Sequence, residues 1–428
     1  MQAKLTDIFV LRPRVQGREP RAQSLKPKAE SQEPRAAIVL LSASGEIGGA
    51  EQVLLDCIRV GDGRAGAKMS LVSLGDGPLV KAAETLGVRT AVVDPPASLE
   101  AAGDAFGGVA SIVGAALRAT GALPGFFQRY SAAVASPVPA MIHSHGIKTH
   151  LLAALLGRRV PVVWHLHDYV GSRPASSWLL RLLARRCALV IAVSESVAED
   201  ARRTLPAGLP VILVRNAVDV ERFTPDGPAL DLDALSSLPP AREGTVRIGL
   251  PATFARWKGH DRFLEAIDRL RRPDVRAYII GGPQYRTAAS QWTRAELETL
   301  ARQYGLEGRV GFTGIVGDMP AAYRALDIVV HASTRPEPFG LVIVEGMACG
   351  RAVVATPAGG AAELFTPGVH AISAGALGAV SLAGALAALV DDEPNRQALG
   401  QRARAHAIAQ FGRDRFATGL RRAMTGIA

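Results

Sequence analysis

Short, continuous apolar runs recur along this chain, and helical or loop stretches separate them. The first run, residues 36–42, leads into a loop that holds Gly48 and Gly49, and a helical pattern follows from Ala50 to Val60. A strand, a glycine-rich loop and a helix open a parallel α/β unit, because the strands of a parallel sheet are covered on both faces and are therefore apolar throughout. The recurrence of this pattern predicts doubly wound sheets.

The apolar runs form two series, and the Pro-rich segment from Pro225 to Pro240 between them is typical of a linker. The first series predicts strands at 36–42, Lys68–Ser73, Arg89–Val93, Ala140–Ser144, Val160–His167, Val190–Ser194 and Val211–Val214. The second predicts strands at Val246–Leu250, Arg276–Ile280, Val310–Thr313, Ile328–His331 and Ala352–Ala355. We therefore expect an α/β protein of two Rossmann-like, doubly wound domains that face a cleft, with a C-terminal helical segment. Ligands of such sheets bind beyond the carboxyl ends of the strands, so the cleft is the expected site.

Residues 1–35 are predicted to be a basic, disordered tail, because their many charges and single short apolar run cannot offset the ordering entropy by burial. A weak electrostatic hold on an anionic membrane is the alternative. The other predicted boundaries give a first domain at 36–222, a linker at 223–244, a second domain at 245–400 and a C-terminal helix at 401–428.

Charge and cysteine content limit the partners and the compartment. The formal net charge of +10 suits an anionic ligand. Aromatic residues make up only 5% of the chain, and it lacks an RNP, zinc-finger or clear helix-turn-helix pattern, so we expect no nucleic-acid partner. The cysteines are far apart and form no CxxC pattern, which favours a reducing compartment over a disulfide framework. The N-terminus has no hydrophobic signal core, so secretion by that route is not expected.

Two segments raise the question of a membrane. Residues 364–390 contain no Asp, Glu, Lys or Arg, which meets the length rule for a membrane span. Because these residues are mostly Ala, Gly and Ser, insertion of the segment into a membrane would be only weakly favourable. We therefore expect a buried strand and loop followed by an Ala-rich helix. Residues 173–186 are basic and contain Trp178 and four leucines. This segment could lie on a membrane surface or pack as a helix with an exposed Arg face, and we favour packing.

The most informative stretch is residues 334–350, TRPEPFGLVIVEGMACG. It places Glu337 in the loop after the predicted strand Ile328–His331, and a helix begins near Phe339. The first N–H groups of a helix have no intrahelical partner and can donate to phosphate or sugar oxygens. Glu345 lies about two turns into this apolar helix, where a carboxylate needs hydrogen-bond donors, and ribose hydroxyls could supply them. The local pattern fits equally well with Glu345 as the polar face of a buried helix.

Two glutamates separated by seven residues, with Phe-Gly-Leu between them, resemble the signature of the retaining GT-B glycosyltransferases of family four. The resemblance covers roughly residues 36–415 and implies two domains, with a nucleotide-sugar donor bound mainly by the second and the acceptor on the side of the first. Other segments fit it in the expected order: Gly48-Gly49-Ala50-Glu51, His165-Leu166-His167-Asp168, Val193-Ser194-Glu195-Ser196, Asn216-Ala217-Val218-Asp219, Arg256-Trp257-Lys258-Gly259-His260 and Phe312-Thr313-Gly314.

The resemblance also implies roles for individual residues. Three are candidate catalytic residues: Glu337 would touch hydroxyls of the transferred sugar, Lys258 would neutralise the departing diphosphate, and His167 would reach the sugar near the reacting carbon. The remaining candidates would bind the donor. They are the backbone of Phe339, Gly340 and Leu341 at the sugar and diphosphate, Glu345 at the ribose, Arg256 beside Lys258, and Gly48 and Gly49 where the backbone approaches the phosphate or the acceptor.

The implied activity is retaining transfer of a hexose-type sugar from a nucleoside-diphosphate sugar to a hydroxyl acceptor. The implied acceptor is a glycan or lipid-linked precursor of a bacterial surface glycolipid or polysaccharide. We expect no cofactor and no metal, because Lys258 and Arg256 would supply the countercharge. The expected location is the cytoplasm, with peripheral contact at the inner face of the membrane as a further option.

The chain departs from the family at Ala252-Thr253, where a Gly-Arg pair is usual, so the usual phosphate-binding arginine is missing from its place. Arg256 could substitute for it, and an inactive member is the alternative. Because a fold alone does not decide function, a nucleotide-sugar epimerase and a non-catalytic binding protein also remain open. A more remote alternative is a metal-dependent hydrolase that uses the pairs His143/His145 and His165/His167, each of which lies on one face of a strand.

Overall fold

The computed structural model describes residues 37–61, 68–97, 121–136, 138–156, 160–283, 290–375, 378–425 and 427. The predicted tail at 1–35 lies outside this part of the chain. Ala36–Ala428 forms one compact unit, whose described part contains two parallel β-sheets with helices packed on their faces.

The first sheet has seven parallel strands within the described residues, in the order β3-β2-β1-β4-β5-β6-β7. They are β1 Ala37–Ser42, β2 Lys68–Ser73, β3 Arg89–Val92, β4 Met141–His145, β5 Val162–Leu166, β6 Leu189–Ala192 and β7 Val211–Leu213. The accompanying helices are α1 Gly49–Val60, α2 Pro78–Thr85, α3 Leu123–Val134, α4 Ile147–Leu156, α5 Pro174–Leu183 and α6 Glu195–Thr204. The strand order reverses between β1 and β4, which places a ligand crevice at their carboxyl ends.

In the part of the chain that the structure describes, the second sheet has six parallel strands in the order β10-β9-β8-β11-β12-β13. They are β8 Val246–Pro251, β9 Val275–Ile280, β10 Val310–Gly314, β11 Ile328–His331, β12 Ala352–Ala355 and β13 Ile372–Ser373. The helices are α7 Leu232–Leu235, α8 His260–Leu270, α9 Arg294–Gln303, α10 Met319–Arg324, α11 Leu341–Ala348 and α12 Ala379–Val390. Here the order reverses between β8 and β11.

The predicted fold class, with two Rossmann-like sheets, is confirmed, and each predicted strand is present within two residues of its predicted bounds. The uncharged stretch 364–390 contains the short strand β13 and the helix α12, as the Ala-rich composition indicated. Within the described residues, none of the helices combines the length and the apolar character that a bilayer crossing demands.

The last two helices, α13 Glu393–Phe411 and α14 Arg413–Thr425, pack on different sheets. Helix α13 lies against α11 and β12, whereas Phe416 and Leu420 of α14 share a core with Leu54 of α1. The boundary predicted at residue 400 therefore falls inside α13, and the predicted C-terminal helix consists of two helices. A helical pattern reveals an apolar face, but it does not reveal which sheet that face covers.

The predicted linker contains the short helix α7, which is anchored to the second sheet. The Asp231 carboxylate accepts a hydrogen bond from the Ala234 amide at 2.9 Å and caps the helix. Asp233 is buried, and its carboxylate accepts hydrogen bonds from Arg276 and from the Tyr278 hydroxyl, both at 2.7 Å. These contacts hold the segment in place despite its Pro-rich composition.

Candidate active site

The loops that follow β8 and β11 meet where the strand order of the second sheet reverses. The loop after β8 contains the 3₁₀ turn Arg256–Lys258 and then Gly259, which has a φ of 75°. A Cβ atom at Gly259 would lie only 2.1 Å from the carbonyl oxygen of Ala332, so only glycine allows the two loops to approach this closely. The approach places Lys258 beside the loop that carries Glu337.

The buried carboxylate of Glu337 is engaged from three sides. The Lys258 ammonium donates to both carboxylate oxygens at 2.9 Å. The Ser333 hydroxyl donates to Oε2 at 2.8 Å, and Nε2 of His331 lies 3.1 Å from the same oxygen. His331 ends β11, and Ser333 follows in the loop, so the second sheet fixes the orientation of the carboxylate.

The charge state of Glu337 follows from these contacts. Burial acts to raise the pKa of the carboxyl group, but the Lys258 charge and the His331 hydrogen bond outweigh it and hold the pKa well below its ordinary range. Glu337 is therefore ionised at neutral pH and acts only as a hydrogen-bond acceptor. An ionised acid of this kind can accept hydrogen bonds from sugar hydroxyls while its paired ammonium faces an anion.

Helix α11 begins four residues after Glu337. Gly340 precedes it with a φ of 104°, a left-handed conformation that other residues rarely adopt. The first amide groups of this helix lack intrahelical partners and favour an anion or sugar oxygens in front of them. Phe339 is buried and packs edge-on against Phe411 of α13, with ring centroids 6.0 Å apart, which anchors the start of the helix.

Glu345 lies on α11 and is partly buried. Its Oε2 accepts a hydrogen bond from the Tyr323 hydroxyl at 2.7 Å. Burial raises the pKa of Glu345 to about 7, although the Tyr323 hydrogen bond acts to lower it. The carboxyl group therefore titrates near neutral pH, and its role at a ribose remains a prediction.

The glycine loop of the first sheet lies against the start of α11. A Cβ atom at Gly49 would lie 3.6 Å from Cδ1 of Leu341. The Gly48 amide donates to the Glu51 carboxylate at 3.1 Å, which fixes the loop at the start of α1. Predicted donor-binding residues of both sheets, Gly48, Gly49 and Leu341, thus come together.

His167 follows β5 at the carboxyl edge of the first sheet. Its Nε2 lies 2.9 Å from Nδ1 of His145, and its ring centroid lies 4.5 Å from that of His165. Burial, together with His143, lowers the pKa of His167 to about 3, so the imidazole is neutral at pH 7.

Two contacts between the sheets were not predicted from the sequence. The Tyr169 hydroxyl donates to the main-chain oxygen of Glu337 at 3.1 Å and accepts from the Gly360 amide at 3.3 Å. The Glu363 carboxylate accepts hydrogen bonds from the amides of Glu195 and Ser196 at 2.9 and 2.8 Å, at the start of α6.

Sequence reasoning also missed three side chains that orient the two glutamates of the site, namely His331, Ser333 and Tyr323. The position of His331 and Ser333 at the carboxyl end of a predicted strand was a usable signal.

Arg256 makes its contacts away from Glu337. Its guanidinium donates to Glu296 at 2.9 Å and lies 3.9 Å from the ring centroid of Trp292. Thr253 stands where the family usually has arginine, and its buried hydroxyl has no hydrogen-bond partner among the described residues. A role for Arg256 at the diphosphate therefore remains a prediction.

Two family models match this chain. Glycosyltransferase Family 4 matches residues 47–222, and Glycosyl transferases group 1 matches residues 239–406. The chain is 30% identical over 305 residues to an alpha-maltose-1-phosphate synthase of Mycobacterium tuberculosis, which covers 65% of this chain and 76% of the relative. It is 30% identical over 256 residues to the lipopolysaccharide core biosynthesis mannosyltransferase LpsB of Rhizobium meliloti. That match covers 54% of this chain and 70% of LpsB.

The fold resembles that of solved glycosyltransferase structures. HepE of Anabaena, in complex with UDP-glucose, superposes with a TM-score of 0.75 at 25% identity, covering 91% of this chain and 99% of HepE. The two matched segments correspond to the two sheets: Gly48, Gly49 and His167 lie in the first segment, and Lys258, Glu337 and Glu345 lie in the second. The chain therefore belongs to the group 1 glycosyltransferases of glycosyltransferase family 4, and its two Rossmann-like sheets form a GT-B fold.

Proposed function

We propose that this glycosyltransferase moves a hexose from a nucleoside-diphosphate sugar to a hydroxyl acceptor and retains the anomeric configuration. The observation that carries the proposal is the contact of Lys258 with the buried Glu337 at the reversal point of the second sheet. It provides a cation for a leaving diphosphate and an ionised acceptor for sugar hydroxyls within one small site. The complex of HepE with UDP-glucose supports a donor of this class.

The diphosphate would lie between Lys258 and the first amide groups of α11. As the bond between C1 and the phosphate oxygen breaks, negative charge develops on that oxygen, and Lys258 stabilises it. The ammonium is already held by Glu337, so little reorganisation accompanies the step. Because protein cations and amides supply the countercharge, we expect the donor site to work without a metal.

Retention would follow from attack on the same face from which the diphosphate leaves. The acceptor oxygen bonds to C1 through an oxocarbenium-like state, and its proton passes to the departing phosphate oxygen. Glu337 is a poor candidate for a covalent nucleophile, because Lys258 and Ser333 already donate to its carboxylate. In this scheme Glu337 and His167 position the sugar, and Glu345 binds the ribose.

We further propose a lipid-linked acceptor and peripheral contact with an anionic membrane. Helix α5 exposes Trp178 and Leu182, at 59% and 60% of their surface, whereas Leu180 on its other face is buried. The predicted packing therefore holds for the face of α5 that carries Leu180, and the face with Trp178 and Leu182 is exposed. Residues 173–186 contain four arginines and no acidic residue, which suits anionic headgroups. LpsB, a mannosyltransferase of lipopolysaccharide core biosynthesis, supports an acceptor of the surface-glycolipid class.

A thermal-shift panel of nucleotide sugars tests the donor, since a ligand at about 100 times its Kd stabilises a protein by about 2.7 kcal/mol. The stabilising donor is then incubated with candidate acceptors in EDTA, and the anomeric proton of the product is read by NMR. We expect the donor configuration in the product. Conversion of the donor sugar without an acceptor would indicate an epimerase, and an inverted product would contradict the mechanism.

A further inference from the structure

Four histidines line one face of the first sheet near the carboxyl ends of β4 and β5. His145 and His165 are paired in register across the two strands. Because side chains alternate between the faces of a strand, His143 shares the face of His145, and His167 shares that of His165. Neighbouring rings in this group have centroids 4.5–5.3 Å apart.

Helix α1 covers the same face and contributes a thiol. Cys57 lies in a core with Met141 and Val163, which precede His143 and His165 by two residues on their strands. One potential ligand atom from each of Cys57, His145 and His165 lies within 4.8 Å of the other two. All three side chains are buried.

Two imidazoles of this cluster, those of His145 and His165, have nitrogens without a hydrogen-bond partner among the described residues. These nitrogens are both ring nitrogens of His165 and Nε2 of His145. A neutral imidazole has one donor and one acceptor nitrogen, and leaving them unpaired away from water is costly. Most buried polar atoms in proteins are paired, so these nitrogens point to a missing partner.

We propose that Cys57, His145 and His165 bind Zn²⁺, or another divalent transition metal of similar softness, in a closed structural site. Thiolate and imidazole are the usual zinc donors, with bonds of about 2.0–2.3 Å. Tetrahedral ligand atoms at these bond lengths lie roughly 3.3–3.8 Å apart, so the side chains close by about 1 Å on binding. The thiol proton leaves to solvent as the metal–sulfur bond forms. The ring of His143, with its centroid 4.6 Å from that of His145, is a candidate for a fourth ligand.

The site would also orient the candidate catalytic histidine. Nδ1 of His145 already lies 2.9 Å from Nε2 of His167, so Nε2 is the nitrogen of His145 that remains available to a metal. Ligation through Nε2 places the proton on Nδ1, which donates it to His167 and fixes the tautomer of both rings. The site does not depend on the proposed transfer reaction. It also differs from a hydrolytic site, because its ligands are buried rather than open to substrate.

Metal content of the full chain tests the site directly. The protein is produced in zinc-supplemented medium, its affinity tag is removed, and zinc is measured by mass spectrometry. We expect about one equivalent per chain in the wild type, and a loss of at least about tenfold in Cys57→Ser and His165→Gln. Cys187→Ser and His260→Gln alter a buried thiol and a buried imidazole elsewhere and should retain the metal. Wild-type protein without zinc, or equal zinc in all variants, would overturn the proposal.

A second measurement uses only the wild-type protein, so it does not depend on whether the variants fold. Wild-type protein produced in cobalt-supplemented medium should show the thiolate-to-metal charge-transfer absorption of a cysteine-bound Co²⁺ ion. Cobalt without that absorption would show that Cys57 is not a ligand, and this result would also overturn the proposal.

Discussion

The ammonium of Lys258 lies 2.9 Å from both carboxylate oxygens of Glu337, although 79 positions separate them in the chain. Strands β8 and β11 are neighbours in the sheet, so the loops that follow them meet. Each group sets the electrostatic environment of the other. Removing one of them therefore tests both the chemistry and the local stability.

Replacement of Lys258 by Met should lower kcat by about 10²–10³, because one preorganised electrostatic donor is lost. The pKa of Glu337 should rise at the same time, since burial would then act without its main opposing charge. Steady-state kinetics with the identified donor provide the measurement. The exposed Lys81→Met is the matched control, and near-normal turnover in Lys258→Met would rule out this site.

Replacement of Glu337 by Gln keeps the size of the side chain and removes its charge. We expect a similar loss of turnover, and a fall in the free energy of unfolding of about 1–3 kcal/mol because Lys258 loses its anionic partner. In the double variant with Lys258→Met, part of the stability should return, because neither charge is left unpaired. Losses of stability that simply add would argue against the coupling of the two residues.

The raised pKa of Glu345 predicts a pH dependence of stability. Its ordinary value is 4.5, and in the folded chain it is about 7, so the folded state binds this proton more tightly. The contribution is fully present below about pH 4.5 and is lost as the pH rises through about 7, at a cost on the order of 1–3 kcal/mol. Denaturant unfolding across this range should show the loss in the wild type and not in Glu345→Gln. Equal profiles would contradict the assignment.

Replacement of Tyr169 by Phe removes the hydroxyl that links the two sheets. The expected loss of stability is about 0.5–1.5 kcal/mol, the usual net value of such a hydrogen bond. The turnover number should also fall, because Tyr169 holds the main chain of Glu337. Ser196→Ala removes another hydroxyl that contacts Tyr169 and leaves its bond to Glu337 in place, so it is the comparison. A stability change without any change in turnover would limit Tyr169 to a structural role.

The double variant Trp178→Ser/Leu182→Ser should bind vesicles that contain anionic lipid at least about tenfold more weakly than the wild type, because the apolar contact of α5 is lost. Cosedimentation at low and physiological salt measures the effect. Ile315 is an apolar side chain outside α5 that is 80% exposed. The Ile315→Ser variant should therefore bind the vesicles as the wild type does. Equal binding of all three proteins would exclude α5 as the membrane contact.

The sequence was sufficient for the fold because most of the buried strands are apolar runs, whereas β4, with the sequence MIHSH, is a partly polar exception. Strands such as Ile328–His331 and Ala352–Ala355 have the bounds that the sequence predicted. The proximity of Lys258 and Glu337 could also be predicted from the sequence, since the resemblance to family four placed both residues at one ligand.

Contacts that depend on strand order could not be predicted in the same way. The pairing of His145 with His165 requires β4 and β5 to be neighbours in a fixed register, which a period-two pattern does not specify. The distance from Cys57 to these rings depends further on how α1 packs. Likewise, the contact of Arg256 with Trp292 depends on the backbone path of a loop, for which the local sequence gives no signal.

The chain passes between the two sheets twice, once after β7 and again between α13 and α14. The two crossings run side by side, since Val218 and Gly412 form a parallel bridge and the Val218 amide donates to the Phe411 carbonyl at 2.8 Å. Arg413 adds ion pairs to Asp56 and Asp219 at the same place. A joint made of two adjacent chain segments favours rotation of the halves about one line over their sliding or twisting apart. The width of the cleft can then change while the alignment of its two walls is preserved.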